Sequence, residues 1–352
     1  MNQPLFSIIL NNFNYGRFLA RAIESALAQD YPRCEVIVVD DGSTDQSREI
    51  IARYGSRIIP VLKPNGGQAS AFNAGFAASS GEFISYLDSD DVLRADAVRH
   101  FVEAFTDKWV AKVQSRLRLI DAHDQPLGAE EPAGELPGGD WKDQVLRFGP
   151  SAYPSTPTSA NAWPRWLLET ILPMPEPGYR VCADGYLKNV APLFGLVASL
   201  QEPLVDYRIH GANTSHWGVN DDPAGRLRRD ITHYELACEH LARWATHLGH
   251  ACIPGRWIEI RWQHLARRHA LYRLGGGTEF RVPPSKCLRA ALHGSPIRRP
   301  LALGVVAAIY FLPRQTACAL VFRLFRKKRI GEGLGASVAA STSSTSHFQI
   351  AA

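Results

Sequence analysis

The sequence predicts an α/β fold: a mostly parallel sheet flanked by helices, followed by a basic helical extension. Three observations carry that prediction. Over about the first hundred residues, apolar runs of strand length alternate with stretches whose apolar residues recur at helical spacing. Two of those runs pass directly into acid, as VVDD at 38–41 and YLDSDD at 86–91. Beyond residue 222 the charge balance reverses: residues 1–222 hold about 19 basic and about 28 acidic side chains, and residues 223–330 about 20 and about 5. Strands that alternate with helices of this size imply parallel pairing through right-handed crossovers.

In chain order, residues 6–10 form a first apolar strand that ends in a polar turn at 11–16. Phe18, Leu19, Ala22, Ile23, Ala26 and Leu27 then mark a helix, which Asp30-Tyr31-Pro32 ends. A second buried strand at 36–39 runs into Asp40-Asp41-Gly42-Ser43. Ser43 and Gln46 have capping-box spacing, so a helix is expected from Ser43, carrying Ile50, Ile51 and Tyr54 inward and closed by Gly55. Residues 58–62 are a third strand, and 63–67, KPNGG, a turn. Ala69, Phe72, Asn73, Phe76 and Ala77 share the face of the next helix, residues 83–87 form the fourth strand, and 95–105 a further helix. The alternation stops near Asp121. Residues 124–140, rich in Pro, Gly and Glu, read as a surface excursion, and 161–172 as a short helix under a loop. Residues 196–207 regain strand character and 208–215 form a polar loop.

The chain has 352 residues, 45% hydrophobic and 21% charged, which suits one large domain with an extension rather than a disordered chain. The expected division is a domain at 1–218, its halves meeting near residue 120, then a helical basic extension at 219–330 and a disordered tail at 331–352. The six cysteines form no C-x-x-C pair, which fits reduced thiols and a cytoplasmic setting. The N-terminus lacks the basic start and long apolar core of a signal peptide. No nucleic-acid module is visible in the basic segment, so nucleic acid is not an expected partner. The apolar run at 301–312 is too short to span a bilayer. It reads as a core helix or as an interfacial or re-entrant helix, with flanks Arg298, Arg299, Arg323, Arg326, Lys327, Lys328 and Arg329 placed for an anionic membrane surface, and a spanning helix through 301–322 is the remaining alternative.

The chemistry sits at the acidic strand ends. In open α/β sheets, ligands bind outside the carboxyl ends of the strands. Asp88 and Asp90 lie two apart, on one side of an extended chain, and carboxylates held that close repel unless a cation lies between them. Mg²⁺ or Mn²⁺ suits carboxylate and phosphate oxygens together. A second acidic end at Asp40 and Asp41 makes the pair a candidate site for a cation and a polyphosphate.

The stretches SIILNNFNYGRFLARAIESALAQDYPRCEVIVVDDGSTDQS and KPNGGQASAFNAGFAASSGEFISYLDSDD resemble the family 2 glycosyltransferases of the GT-A fold. The resemblance is close over about residues 5–100 and looser over 150–216. It implies a Rossmann-like sheet, a nucleotide-sugar donor (a UDP-sugar favoured), a divalent cation and transfer with inversion to a glycan or lipid-linked glycan. By the same resemblance Asn11 and Asp41 face the base or ribose, with Asp40 the lesser candidate. Lys63, Gly67 and Gln68 belong to a loop that closes on the nucleotide. Asp88 lies over the ribose and the metal shell, Asp90 is the direct metal ligand, and Arg208 or His210 reaches a phosphate or the metal. Asp184, in RVCADGYL, stands at the catalytic base, although Ala183 replaces the Glu often found before it. Asn161 belongs to the acceptor-side loop. A nucleotide-sugar hydrolase and a non-catalytic nucleotide-binding module are the alternatives. The first would need a water-activating group and no acceptor cleft, and the second would have no use for Asp184.

Overall fold

The computed structural model describes residues 3–210, 223–293 and 299–314, with 316, 317 and 320. One nine-stranded sheet is built from β1 (Phe6–Asn12), β2 (Cys34–Asp41), β3 (Ile59–Lys63), β4 (Phe83–Asp88), β5 (Val92–Leu93), β6 (Val110–Ile120), β7 (Pro126–Glu131), β8 (Asn161–Pro164) and β9 (Leu196–Arg208). Its order is β3-β2-β1-β4-β8-β6-β9-β5, with β7 paired to β6. Pairing is parallel through β3, β2, β1 and β4 and again between β6 and β9, while β8, β5 and β7 pair antiparallel.

Crossover helices α1 (Gly16–Leu27), α2 (Ser47–Ala52), α3 (Gln68–Ala78) and α4 (Ala97–Ala104) cover the sheet. Successive side chains on each strand face opposite ways, so the strands serve two cores. Ile8, Leu10, Val36 and Val38 pack under Leu19, Ile23 and Phe101 on one face. Ile9, Ile37 and Val39 pack under Phe72, Leu167 and Leu187 on the other. Helix α3 lies so close to β1 that a Cβ on Gly75 would sit 2.3 Å from Ile9 Cγ2.

Three local expectations change. Helix α2 starts at Ser47, not Ser43. The Ser43 hydroxyl instead accepts from Asn12 Nδ2 and the Asn14 backbone N–H, and Asp45 accepts from the backbone N–H groups of Ser47 and Gly16. The 43–46 turn is therefore tied to the first strand's loop rather than wound into helix. Residues 161–164 are β8, hydrogen-bonded between β4 and β6, and only α6 (Arg165–Ile171) is helical. Strands β6 and β7 lie where no strand was read. In β6 both faces are buried at its start and carry Lys112, Gln114 and Ser115, so the apolar alternation that marks a strand is broken by polar groups.

The second half adds α5 (Lys142–Phe148) and α7 (Asp184–Val190), and the basic extension is α8 (Pro223–His247), α9 (Pro254–Ile260), α10 (Trp262–Arg273), α11 (Pro284–His293) and α12 (Arg299–Phe311). Cys238, Leu241 and Trp257 of the extension share a cluster with Val145, Leu193 and Val197 of the preceding half. Helix α12 is apolar on both sides. Ala302, Val305, Val306 and Ile309 are buried against the other extension helices, whereas Leu301 is 55% and Phe311 87% exposed. No described helix is long and apolar enough to cross a membrane. Residues 211–222, with Asn213, Thr214 and Ser215 of the expected polar loop, the basic flank Arg298, Arg323 and Arg326–Arg329, and residues 331–352 lie outside the described residues.

Candidate functional site

Parallel register brings the polar strand ends to one rim. Asn11 stands beside Val39 and Asp88, Asn12 beside Asp40, and Asp41 beside Lys63. The two aspartates of β2 then separate in role. Asp40, fully buried, accepts from Arg48 Nε (2.9 Å), Asn12 Nδ2 (3.0 Å) and the Ser43 backbone N–H (3.1 Å). Burial pushes its carboxyl up, but the hydrogen bonds from Arg48, Ser43 and Asn12 outweigh that and hold it below the ordinary value. Asp40 thus braces the turn after β2.

Asp41 is met by the 63–67 loop. It accepts from Lys63 Nζ (2.7 Å), Asn65 Nδ2 (3.1 Å) and the backbone N–H groups of Gly66 (2.8 Å) and Gly67 (2.7 Å). Gly67 adopts φ +90°, and a Cβ there would meet Arg180 Cα at 2.6 Å, so the close turn requires glycine. Arg180 in turn donates to Gly66 O and Asn65 Oδ1. The expected loop residues Lys63 and Gly67 are therefore gathered on Asp41, and the loop is clipped to Arg180 of the second half.

The second acidic end is more buried than its sequence suggests. Asp88 Oδ1 accepts from Asn11 Nδ2 (2.8 Å) and Gln68 Nε2 (3.2 Å). Burial first, then the charges of Asp90 and Asp184, pushes its carboxyl up to about 8. Asp90 Oδ2 lies 3.0 Å from His210 Nε2, and the histidine ring is flanked by Tyr15 and Phe18. Asp91, which was given no role, is buried; it accepts from the Ser159 hydroxyl (2.5 Å) and the Arg208 backbone N–H (3.0 Å). Burial and the charges of Asp90 and Asp88 hold its carboxyl well above the ordinary value.

Arg208 makes its contacts within the protein. Its guanidinium turns into the protein, donating to Asp90 O (2.7 Å) and Asp121 O (3.0 Å), pairing with Asp124 (2.5 Å) and lying over the Phe18 ring. It fixes the backbone that carries Asp90 and His210. Asn161 is also structural: its amide donates to the backbone carbonyls of Thr156, Pro157 and Thr158.

Whether these residues suit a divalent cation is a question of charge and donor type. Asp90 and His210 offer oxygen and nitrogen donors 3.0 Å apart, and the Asp88 carboxyl is pushed up first by burial and then by neighbouring negative charge that a cation would offset. Among the described residues, no group of three or more His, Cys, Asp or Glu side chains is arranged as a metal cage. The set fits a partial shell that a substrate's phosphate oxygens would complete, the usual way Mg²⁺ is held.

On the acceptor side, Asp184 opens α7 after Cys182, a non-glycine residue at φ +57°. Gln68 bridges the two sides: its Nε2 donates to Asp88, and its Oε1 accepts the Ala183 backbone N–H (2.9 Å). Asp184 pairs with Lys188 one turn on, Nζ to Oδ2 2.5 Å. Behind them lies Lys112, fully buried, donating to Ser155 Oγ (2.6 Å), Gln114 Oε1 (2.8 Å) and Tyr153 Oη (3.3 Å). Burial, then the charge of Lys188, holds its amine well below the ordinary value, while Asp184 pulls the other way. Lys188 had a legible signal, its i,i+4 spacing from Asp184. Lys112 had none, as a lone lysine on an unread strand.

The family model for Glycosyl transferase family 2 matches residues 7–135. An uncharacterized glycosyltransferase of Nostoc sp. is 39% identical over 211 residues, 59% of this chain and 65% of that relative. An uncharacterized glycosyltransferase of Rickettsia prowazekii is 42% identical over 132 residues, 37% of this chain and 42% of that relative. The chain thus covers less than two thirds of either relative's own length. Among solved structures, S. aureus TarS 1-349 in complex with UDP-GlcNAc superposes with a TM-score of 0.53 at 15% identity, covering 99% of this chain and 94% of that one, a likeness of fold. Sheet order, acidic strand ends and sequence agree: residues 7–135 are similar to the glycosyl transferase family 2 model, and the chain has a GT-A-type α/β fold.

Proposed function

We propose that the protein is an inverting glycosyltransferase that moves a sugar from a nucleoside-diphosphate sugar to a hydroxyl of a glycan or lipid-linked acceptor. A UDP-sugar is the favoured donor, in line with the ligand of the TarS structure. One observation carries the reading: Gln68 joins the Asp88 strand end directly to the backbone that presents Asp184, so a donor-side acid and an acceptor-side base share one cleft.

In this reading Asp90 and His210, with Asp88, would hold Mg²⁺ or Mn²⁺, which would supply positive charge to the departing diphosphate. Asn11, whose Oδ1 is buried with no hydrogen-bond partner among the described residues, belongs to the ribose or base contacts, as does Asp41 once the 63–67 loop shifts its hydrogen bonds. Asp184 takes the proton of the acceptor hydroxyl. The O–H bonding pair stays on that oxygen, which forms the new bond to the anomeric carbon from the face opposite the diphosphate. The old C–O pair leaves with the diphosphate. Only interactions stronger in the transition state than in the ground state speed this step, and both the proton acceptor and the positive charge meet that condition.

A thermal-shift screen of nucleoside diphosphates and nucleotide sugars, with and without Mn²⁺, tests the donor side. A uridine diphosphate compound with Mn²⁺ should raise the melting temperature above the sum of either alone, since a ligand bound only by the folded state adds to its stability. No response to any nucleotide would overturn the reading. If the nucleotide is released from its sugar without an added acceptor, at the rate seen with one, the protein is a hydrolase instead. Retention of the donor's anomeric configuration, read by NMR, would remove the inverting step.

The second part of the proposal concerns location. The exposed apolar face of α12, Leu301 and Phe311, and the basic excess of residues 223–330 favour peripheral docking on anionic lipid, with the catalytic domain at the inner face of a membrane. Leu301→Ser with Phe311→Ser leaves the buried face of α12 untouched. The parent should co-sediment with phosphatidylserine vesicles at low salt and release as salt rises, and the double variant should stay in the supernatant. Equal sedimentation of the two would reduce α12 to a core helix.

A further inference from the structure

Asp184 stands where several charges converge. Its charge is felt by Asp88 at the end of β4, by Lys112 of β6, by Tyr153 and by His233 of α8. Asp88 opposes a second negative charge nearby, and burial disfavours any charge at all. A carboxylate that must accept a proton in such a place needs a cation against it. Lys112 is committed elsewhere, to Ser155, Gln114 and Tyr153. The ring of His233 hydrogen-bonds the Cys182 backbone, and burial first holds it below the ordinary value, which leaves it largely neutral.

Lys188 is a cation in direct contact with Asp184. Its Nζ lies 2.5 Å from Asp184 Oδ2, across one turn of α7. It is not a loose surface lysine, for its side chain is 21% exposed and its Nζ also lies 3.4 Å from Thr156 O. Its own carbonyl accepts from Tyr153 Oη (2.7 Å), the hydroxyl that Lys112 also reaches. The helix turn that presents the pair is thus pinned to the strand behind it.

We propose that Lys188 is a positioning residue for Asp184: its ammonium fixes Oδ2 and keeps the carboxylate ionised, ready to take the acceptor's proton. The proposal rests on the reading of Asp184 as the base. Lys188 acts through Asp184 and touches neither substrate.

The test needs no substrate. The full-length chain is labelled with carbon-13 at the aspartate carboxyls, and the Asp184 signal is identified by its loss in Asp184→Asn. Its titration midpoint is then read in metal-free buffer. Lys188→Met should raise that midpoint by about one pH unit or more, a tenfold gain in proton affinity. Lys188→Arg, which keeps the charge, should stay near the parent, and Lys188→Gln serves as the neutral variant should methionine fail to fold. A neutral variant that melts like the parent and leaves the midpoint unchanged overturns the proposal. Full turnover in Asp184→Asn would instead remove the base and leave the Lys188 measurement standing.

Discussion

Replacing Asp184 with asparagine is expected to lower turnover by about two orders of magnitude or more while donor binding stays near that of the parent. The reason is chemical rather than structural. Asparagine keeps the shape and can still accept a hydrogen bond from Lys188, but it cannot take a proton at neutral pH. General base catalysis is commonly worth about a hundredfold to ten-thousandfold. The measurement is turnover with the donor found in the nucleotide screen, beside the donor's dissociation constant for the same two proteins. A parallel loss of donor affinity would move Asp184 to the donor side. The structure leaves room for that result, because Gln68 couples the Ala183 backbone to Asp88.

Asp90→Ala is expected to abolish the part of donor binding that depends on Mn²⁺. Asp90 is the carboxylate beside His210, and a binding shell that depends on one carboxylate and one imidazole is not replaced by alanine. Without metal the variant should melt no lower than the parent. It loses the contact with His210, worth about 1 kcal/mol for a typical hydrogen bond. It also removes a charge that opposes both Asp88 and Asp91, each of which is held above its ordinary value partly by Asp90. If the uridine diphosphate response to Mn²⁺ survives unchanged in Asp90→Ala, the ligand assignment is wrong. If the metal-free melting temperature instead falls steeply, Asp90 acts as a structural anchor like its neighbour Asp91.

The strand-end acids were legible because strand termini and aspartates are both local features. A short apolar run fixes where a strand ends, and the residues that follow it must lie at the rim. Asn11, Asp40, Asp41 and Asp88 all fall there, and the parallel register aligns them within a residue. Asp184 and His210 needed the family resemblance, since nothing local ties a carboxylate at 184 or an imidazole at 210 to a strand end near 88. Strands β6 and β7 stayed hidden for a different reason. In β6 the buried positions accept Lys112 and Gln114, and β7 has no fully buried residue, so neither shows the apolar period that marks a strand.

The sequence alone determined the order of the first four strands and the helices between them, the placing of two acidic pairs at one rim, and the change to a basic helical extension. Each of these follows from periodicity, turn chemistry or charge, which act over a few residues. Only the tertiary structure decided what each acid does. Asp40 became a brace because Arg48 and Asn12 reach it, and Asp41 became the hub of the 63–67 loop because two backbone N–H groups point at it. Asp91 and Arg208 became buried anchors, and Lys188 came to rest on Asp184. A carboxylate's role is set by which donors and charges surround it at about 3–6 Å. Those neighbours come from residues up to 120 positions away in the chain, as between His210 and Asp90.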